Sequence, residues 1–184
     1  NHAREQLVHV LEELIAFQTF TDDYAAAVIY QYERVALLRE IYPPEQFPTG
    51  LETLADAIFS FSQDLNIAGE NKEALARAEE ALALYRELYP QKTHPQGHAD
   101  IASCLSQIAH LTGETIGHQQ AVEPARQALE MLRSLYHPDS HPDGHLDLAV
   151  GIKDLAFALQ LSEQLDESQK LYEEALAMLA RLVG

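Results

Sequence analysis

The feature that most constrains the fold is a repeat of 47 residues that runs through the chain. Residues 88–102 and 135–149 carry the same succession of Leu-Tyr, His-Pro and Gly-His, with an Asp two residues after the last His. A step back by the same interval reaches Ile41-Tyr42-Pro43, and nearly four repeats fill the 184 residues. Periods of this length are typical of solenoids, in which each repeat buries its apolar face against its neighbours.

The pattern predicts two helices in each repeat. In the third repeat Ile101, Leu105, Ile108 and Leu111 recur at the spacing of one helix face. After a short break comes a longer segment rich in Ala, Leu and Glu, which favour helices, and a proline follows it. Strand signals are nearly absent. The predicted helices span residues 4–20, 23–41, 51–68, 71–89, 98–115, 118–136, 145–162 and 165–182.

These helices predict an all-α solenoid of about four antiparallel hairpins. The hairpins would occupy approximately residues 4–41, 51–89, 98–136 and 145–182. A single hairpin cannot bury its apolar face, whereas stacked hairpins can. No linker interrupts the pattern, so we expect one solenoid domain over residues 1–184.

Small residues recur at fixed places within the helices and let two helices approach closely. They are Ala109 and Ala156 in first helices, and Ala74, Ala81, Ala121, Ala128 and Ala175 in second helices. Large residues such as Leu105, Ile152 and Tyr172 surround them. The pattern resembles the tetratricopeptide repeat over essentially the full length, although the common unit of that family has about 34 residues.

The Gly-His-x-Asp stretch before a first helix is similar to the long repeats of kinesin light chain. It is also similar to repeat tracts of bacterial proteins that carry a caspase-like CHAT protease domain. The resemblance implies a right-handed superhelical solenoid whose first helices line a concave groove for peptides or partner domains, and it implies no catalysis. Four residues depart from the small-residue pattern: Ile15, Arg34, Ser62 and Ser168.

The formal net charge of -17 disfavours nucleic-acid and anionic membrane partners, because their phosphates are repelled. It favours a basic or zwitterionic partner, although a solubilising acidic surface explains the charge more simply. No apolar run approaches the roughly 18 residues that span a bilayer. The polar N-terminus does not have the pattern of a signal peptide. We therefore expect a cytoplasmic protein, and the resemblance to the CHAT-associated repeat tracts implies a bacterial one.

The histidines that recur in the connections could suggest zinc, but Pro and Gly separate His94 from His98 and His141 from His145, so neither pair lies on one helix face. We expect His98 and His145 to cap the following helices. The single cysteine, Cys104, has no local signature of a nucleophile and is expected to be a buried thiol. We predict no catalytic residue, metal or cofactor, and hence no enzyme.

The predicted function is a peptide- or protein-binding scaffold. If first helices line a groove, six residues would face it: Phe59, Gln63, Ser106, His110, Lys153 and Phe157. The two aromatic residues occupy positions that need not be apolar for folding, and exposed aromatics commonly anchor bound peptides. The alternative for both is packing against neighbouring hairpins. The expected ligand is a basic or aromatic-bearing peptide.

Two other functions remain open at this stage. The chain could be a structural module that self-associates through its C-terminal helix or packs on another domain of a longer protein. Leu161, Leu165 and Leu179 would then be covered by a further repeat or by a second copy of the chain. It could also be a regulatory sensor within a larger protein of the CHAT protease kind, which is implied by the resemblance alone.

Overall fold

The structure is a computed structural model that describes residues 2–43 and 48–184. Within these ranges it contains eight α-helices and no strand. The helices are α1 His2–Phe20, α2 Tyr24–Ile41, α3 Leu51–Ile67, α4 Asn71–Leu88, α5 Ala99–Thr115, α6 His118–Leu135, α7 Leu146–Leu161 and α8 Leu165–Val183. The predicted all-α class is confirmed, and every predicted helix end lies within about two residues of the observed one.

The helices form two compact units, Asn1–Leu88 and Tyr89–Gly184. In the first unit α1 packs on α2, α2 on α3 and α3 on α4. In the second unit α5 packs on α6, α6 on α7 and α7 on α8, and α5 also contacts α7. Each unit therefore consists of two stacked hairpins, as the repeat pattern predicts. The grouping of all four hairpins into one domain over residues 1–184 stays a prediction.

The small-residue positions mark the contact between the two helices of a hairpin. Ala74 and Ala156 are fully buried there. Ser62 donates a hydrogen bond to the carbonyl of Ala74 at 2.8 Å, and Ser168 donates one to the carbonyl of Ala156 at 2.7 Å. The two serines thus keep the close approach that alanine allows and satisfy their own hydroxyl groups in the partner helix.

The repeated histidines cap helices, as predicted. The backbone N–H of Asp147 donates to Nδ1 of His145 at 3.2 Å, and that of Asp100 donates to Nδ1 of His98 at 3.4 Å. His145 also stacks on Tyr136 with ring centroids 3.7 Å apart. These interactions fix the connection between a second helix and the next first helix, because they tie the loop to the first turn of α7.

Tyr136 completes this arrangement through its hydroxyl group, which donates to Oδ2 of Asp147 at 2.9 Å. Burial raises the pKa of Tyr136 above its ordinary value, and the hydrogen bond to Asp147 acts in the same direction. Tyr136 therefore stays neutral at physiological pH and acts as a donor that holds the start of α7.

A polar network joins α2 to α3 and to α1. The side-chain amide of Gln31 donates to Oδ2 of Asp64 at 2.6 Å and to the hydroxyl of Ser60 at 3.2 Å. Arg34 donates to Oε1 of Glu12 at 2.7 Å. Gln31 and Asp64 are both buried. Burial raises the pKa of Asp64, while the hydrogen bond from Gln31 and the charge of Arg34 partly oppose the change.

We expect Asp64→Asn to stabilise the first unit at neutral pH by roughly 1 kcal/mol, the scale of one buried hydrogen-bond change. Asn keeps the shape and one acceptor oxygen for Gln31 but carries no buried charge. In the parent chain the pKa of Asp64 is raised in the folded state. The protonated Asp64 therefore contributes stability that is fully present below the ordinary pKa of an aspartate, and this contribution is lost as pH rises through the folded pKa. Urea unfolding at several pH values between about 4 and 8 would measure the difference.

The stability gap between Asp64→Asn and the parent chain should therefore be smallest at the acidic end and grow toward neutrality. The exposed Asp143 provides the control, since Asp143→Asn should shift the unfolding midpoint little at any pH. A gap that is constant with pH would contradict the proposed role of the Asp64 charge.

Candidate functional site

The exposed face of α7 carries the most apolar part of the predicted site. Phe157 is 50% exposed, and Lys153 is also exposed. Nζ of Lys153 lies 3.0 Å from Oδ1 of Asp154, so its charge is locally balanced. Val150 precedes Lys153 by three residues and is 42% exposed. Because residues three and four apart share a helix face, Val150, Lys153 and Phe157 form one line along α7.

This line extends to both ends of α7. Leu146 and Leu161 are exposed as well, and they lie four residues before Val150 and four residues after Phe157. We call Leu146, Val150, Lys153, Phe157 and Leu161 the α7 strip. Exposed apolar side chains scattered singly are normal, but a continuous row is typical of an interaction surface.

Ser106 and His110 lie on α5 at the repeat positions of Lys153 and Phe157. Ser106 is half-buried and His110 is exposed. Since α5 contacts α7, the structure brings these four predicted residues onto two neighbouring helices of the second unit. The face of α5 is polar where the α7 strip is apolar.

Phe59 and Gln63 lie on α3 in the first unit. Gln63 is exposed, but Phe59 is half-buried and meets the ring of Tyr85 edge-on, with centroids 6.5 Å apart. Tyr85 in turn donates a hydrogen bond to Oδ1 of Asp56 at 2.6 Å. Phe59 therefore packs within its own hairpin, which is the structural alternative that the sequence left open for it.

Three residues of the α7 strip were not among the groove residues expected from the sequence: Leu146, Val150 and Leu161. Leu161 was expected only in a self-association surface. The signal lies in the repeat register. Val150 aligns with Ser103 and Leu146 aligns with Ala99, so apolar residues stand in the fourth repeat where the third has small or polar ones. An apolar residue at a position that is polar in a sister repeat is not required by the fold.

Cys104 is completely buried, as predicted. In the ranges 2–43 and 48–184 no group of three or more His, Cys, Asp or Glu side chains is placed to hold a metal ion. None of the helices described there is both long and apolar enough to cross a membrane.

Comparison with known proteins supports the repeat family. Residues 60–96 and 153–184 match the family model described as tetratricopeptide repeat. No curated protein matches the chain. The two matched segments begin at nearly the same point of the 47-residue period, two repeats apart.

Solved structures share the fold at low sequence identity. BtubC (BKLC) from P. vanneervenii is similar with a TM-score of 0.77 and 14% identity, and the match covers 98% of this chain and 66% of that one. The chain thus spans just under two thirds of the length of BtubC.

A protein from Podosopora anserina, described as a putative kinesin light chain with nearly identical TPR-like repeats, has a TM-score of 0.68 and 17% identity over 99% of this chain and 90% of that one. A variant of the same protein has a TM-score of 0.70 and 17% identity over 99% of this chain and 89% of the variant. The matched segments support the tetratricopeptide repeat family, and the solved structures share the helical-repeat fold.

Proposed function

We propose that the chain is a peptide-binding scaffold whose site is the face formed by α5 and α7 in the second unit. The observation that carries the proposal is the α7 strip, whose apolar side chains are exposed. A different face of α7 packs in the core, so these side chains are not needed to hold the helix in place. Tetratricopeptide repeats are a non-catalytic type of scaffold that commonly mediates protein–protein contacts. That the chain is not an enzyme stays a prediction.

The chemistry of the face suggests the class of ligand. Phe157, Val150 and Leu146 would take apolar or aromatic side chains of a bound segment, since burying such groups supplies most of the affinity at interface centres. Ser106 and His110 on α5 offer hydrogen-bonding groups beside them. The net charge of -17 would draw basic peptides toward the protein at low salt.

We expect a diverse peptide array, probed with the folded chain, to identify basic peptides that bear aromatic or aliphatic residues. Phe157→Ala should weaken binding to these peptides by about tenfold or more, the size of one interface anchor. Raising the salt concentration should weaken binding further, since attraction between the acidic protein and a basic ligand is screened.

Ile116→Ala is the matched control, because Ile116 is also an exposed aliphatic residue of the second unit but lies just after α5, outside the α7 strip. Phe59→Ala tests the first-unit part of the predicted groove, with circular dichroism to separate lost binding from lost packing on Tyr85. Binding that survives Phe157→Ala, or that Ile116→Ala weakens equally, would refute the α7 strip as the site.

The second candidate function is self-association through the C-terminal helix. It is favoured by the exposure of Leu165, Leu176 and Leu179 on α8. The regulatory alternative, a sensor within a larger protease, stays a prediction from resemblance.

A further inference from the structure

The α7 strip lies at positions that a neighbouring hairpin does not cover. The repeat interval aligns Val150 with Ser103 and Phe157 with His110, both on α5. Ser103 and His110 are exposed although α7 packs against α5 within the same unit. Stacking of one hairpin on the next therefore leaves these positions on the surface, where they are available to a ligand.

The strip runs along one side of a single helix. Its members follow one another at intervals of three or four residues, so they share a helix face. From Leu146 to Leu161 the strip is about 22 Å long, at a rise of about 1.5 Å per residue. This length matches about four turns of a second helix, or about seven residues of an extended chain.

An extended ligand on the strip would leave its own backbone groups without partners. The N–H and C=O groups of α7 are paired within the helix, so they cannot form a ladder with a strand. The side chains of the strip are apolar except for Lys153, which is paired with Asp154. Unpaired backbone groups in a dry contact cost free energy, and a helical ligand avoids this cost because its backbone bonds are internal.

The charged residues beside the strip are mostly acidic. Asp147 and Asp154 are seven residues apart, so they lie along the same side of α7. Their side chains are 56% and 36% exposed. Glu163 is exposed just beyond Leu161, and the charge of Lys153 is offset by Asp154. These charges favour a ligand that carries basic residues beside its apolar face.

We propose that the ligand of the α7 strip is an amphipathic helix with a basic edge, bound as a helix alongside α7. The inference rests on the proposed function and names the class of partner that the site takes. Apolar residues of the ligand, spaced three or four apart, pack between the side chains of Val150 and Phe157. Its Lys or Arg side chains reach the carboxylates of Asp147 and Asp154.

The contact is small, which sets the affinity to expect. One row of apolar side chains is less than the roughly 800 Å² that each partner buries in a standard interface. Ordering a flexible peptide into a helix costs further free energy. We therefore expect a dissociation constant in the micromolar range for a single helix.

Three synthetic peptides of about 18 residues test the ligand class with the full chain. The first has leucines at helical spacing and lysines along one edge. The second has the same composition, with the leucines redistributed so that no helix face is apolar. The third has a proline at one central polar position of the first. Fluorescence anisotropy should show binding of the second and third at least about tenfold weaker, because proline breaks a helix interior and redistribution removes the apolar face.

Circular dichroism gives an independent readout of the bound conformation. The helical signal of the first peptide mixed with the protein should exceed the sum of the two separate signals. The second peptide should give no such excess, since it has no face that the strip can bind.

Variants of the protein test the contribution of the strip and of the charge beside it. Val150→Ser gives α7 the residue that α5 carries as Ser103, so folding should be retained and binding of the first peptide should weaken about three- to tenfold. Asp154→Asn should weaken binding about two- to fivefold at low salt and have little effect at high salt. Ile116→Ser is the matched control, because Ile116 is exposed outside the strip.

Four results would overturn the inference, and they differ in what they leave standing. If all three peptides bound equally well and Phe157→Ala weakened each of them, the site would stand and its ligand would be extended. If Phe157→Ala and Val150→Ser changed no binding, the strip would fall together with the proposed function. A mass that rises with the concentration of the chain alone, and stays that of a monomer in Val150→Ser, would make a second copy the occupant. No binding of the first peptide up to about 1 mM would remove the helical ligand and leave the function to the peptide array.

Discussion

Leu155→Ala should lower the free energy of unfolding by roughly 2–5 kcal/mol, because it leaves a cavity where α6 and α7 meet. Leu155 is 2% exposed and belongs to the apolar cluster that joins the hairpins of the second unit. Its neighbours in that cluster include Leu129, Leu132 and Ile152. Urea unfolding followed by circular dichroism would measure the loss as a lower midpoint.

Leu176→Ala is the matched control for Leu155→Ala. The same atoms are removed, but Leu176 is largely exposed, so the change in unfolding free energy should stay within about 0.5 kcal/mol in dilute solution. Equal losses for the two variants would mean that Leu176 is covered in the isolated molecule, which would contradict its exposure on α8.

Gly144→Ala should cost about 2–3 kcal/mol, from two sources that act together. Gly144 has a φ of +97°, a conformation that costs an L-residue roughly 1–2 kcal/mol. A Cβ at this position would also lie 2.6 Å from Cγ of Met178, so the methionine would have to move. Thermal or urea unfolding of the purified variant would give the magnitude.

Gly69→Ala separates the two sources. Gly69 has a similar φ of +85°, but no heavy atom lies within 4 Å of the added Cβ, so this variant should show the conformational cost of about 1 kcal/mol alone. Gly97→Ala should resemble Gly144→Ala, since its Cβ would meet Met131 in the same way. If Gly69→Ala proved as costly as Gly144→Ala, contact with the methionine would not be the cause of the difference.

The helices and their caps were predictable because the repeat supplied several observations of each element. His98 and His145 each stand immediately before a first helix with an Asp two residues later, and this arrangement favours a cap. The exposure of Gln63, His110, Lys153 and Phe157 also followed from the helical period. The concave groove itself stays a prediction.

The α7 strip was harder to identify because α7 is apolar on more than one face. Val150 cannot be separated from core residues such as Ile152 by composition, and only the packing against α6 and α8 shows which side is buried. Periodicity identifies a helix reliably but identifies its buried face only when the other face is polar.

The polar network of the first unit could not be predicted either. Arg34 stands where later repeats have alanine, and Gln31 and Asp64 replace small or apolar residues at two other positions. Taken one at a time, these residues are departures from the pattern. They become a set of partners only when α2 and α3 are placed side by side, which the sequence separation of 33 residues conceals.

The nearest-neighbour packing of the helices has a consequence for folding kinetics. Within each unit, in the part of the chain that the structure describes, a helix contacts the next helix along the chain, and α5 and α7 are the one pair in contact across an intervening helix. Such local contacts give a low contact order and favour rapid folding from any hairpin. Because each hairpin is coupled mainly to its neighbours, the unfolding of one hairpin has little effect on a distant one. Within its unit α1 contacts one helix and α8 contacts one helix, whereas α6 and α7 each contact at least two. Amide hydrogen exchange should therefore be faster in α1 and α8 than in α6 and α7.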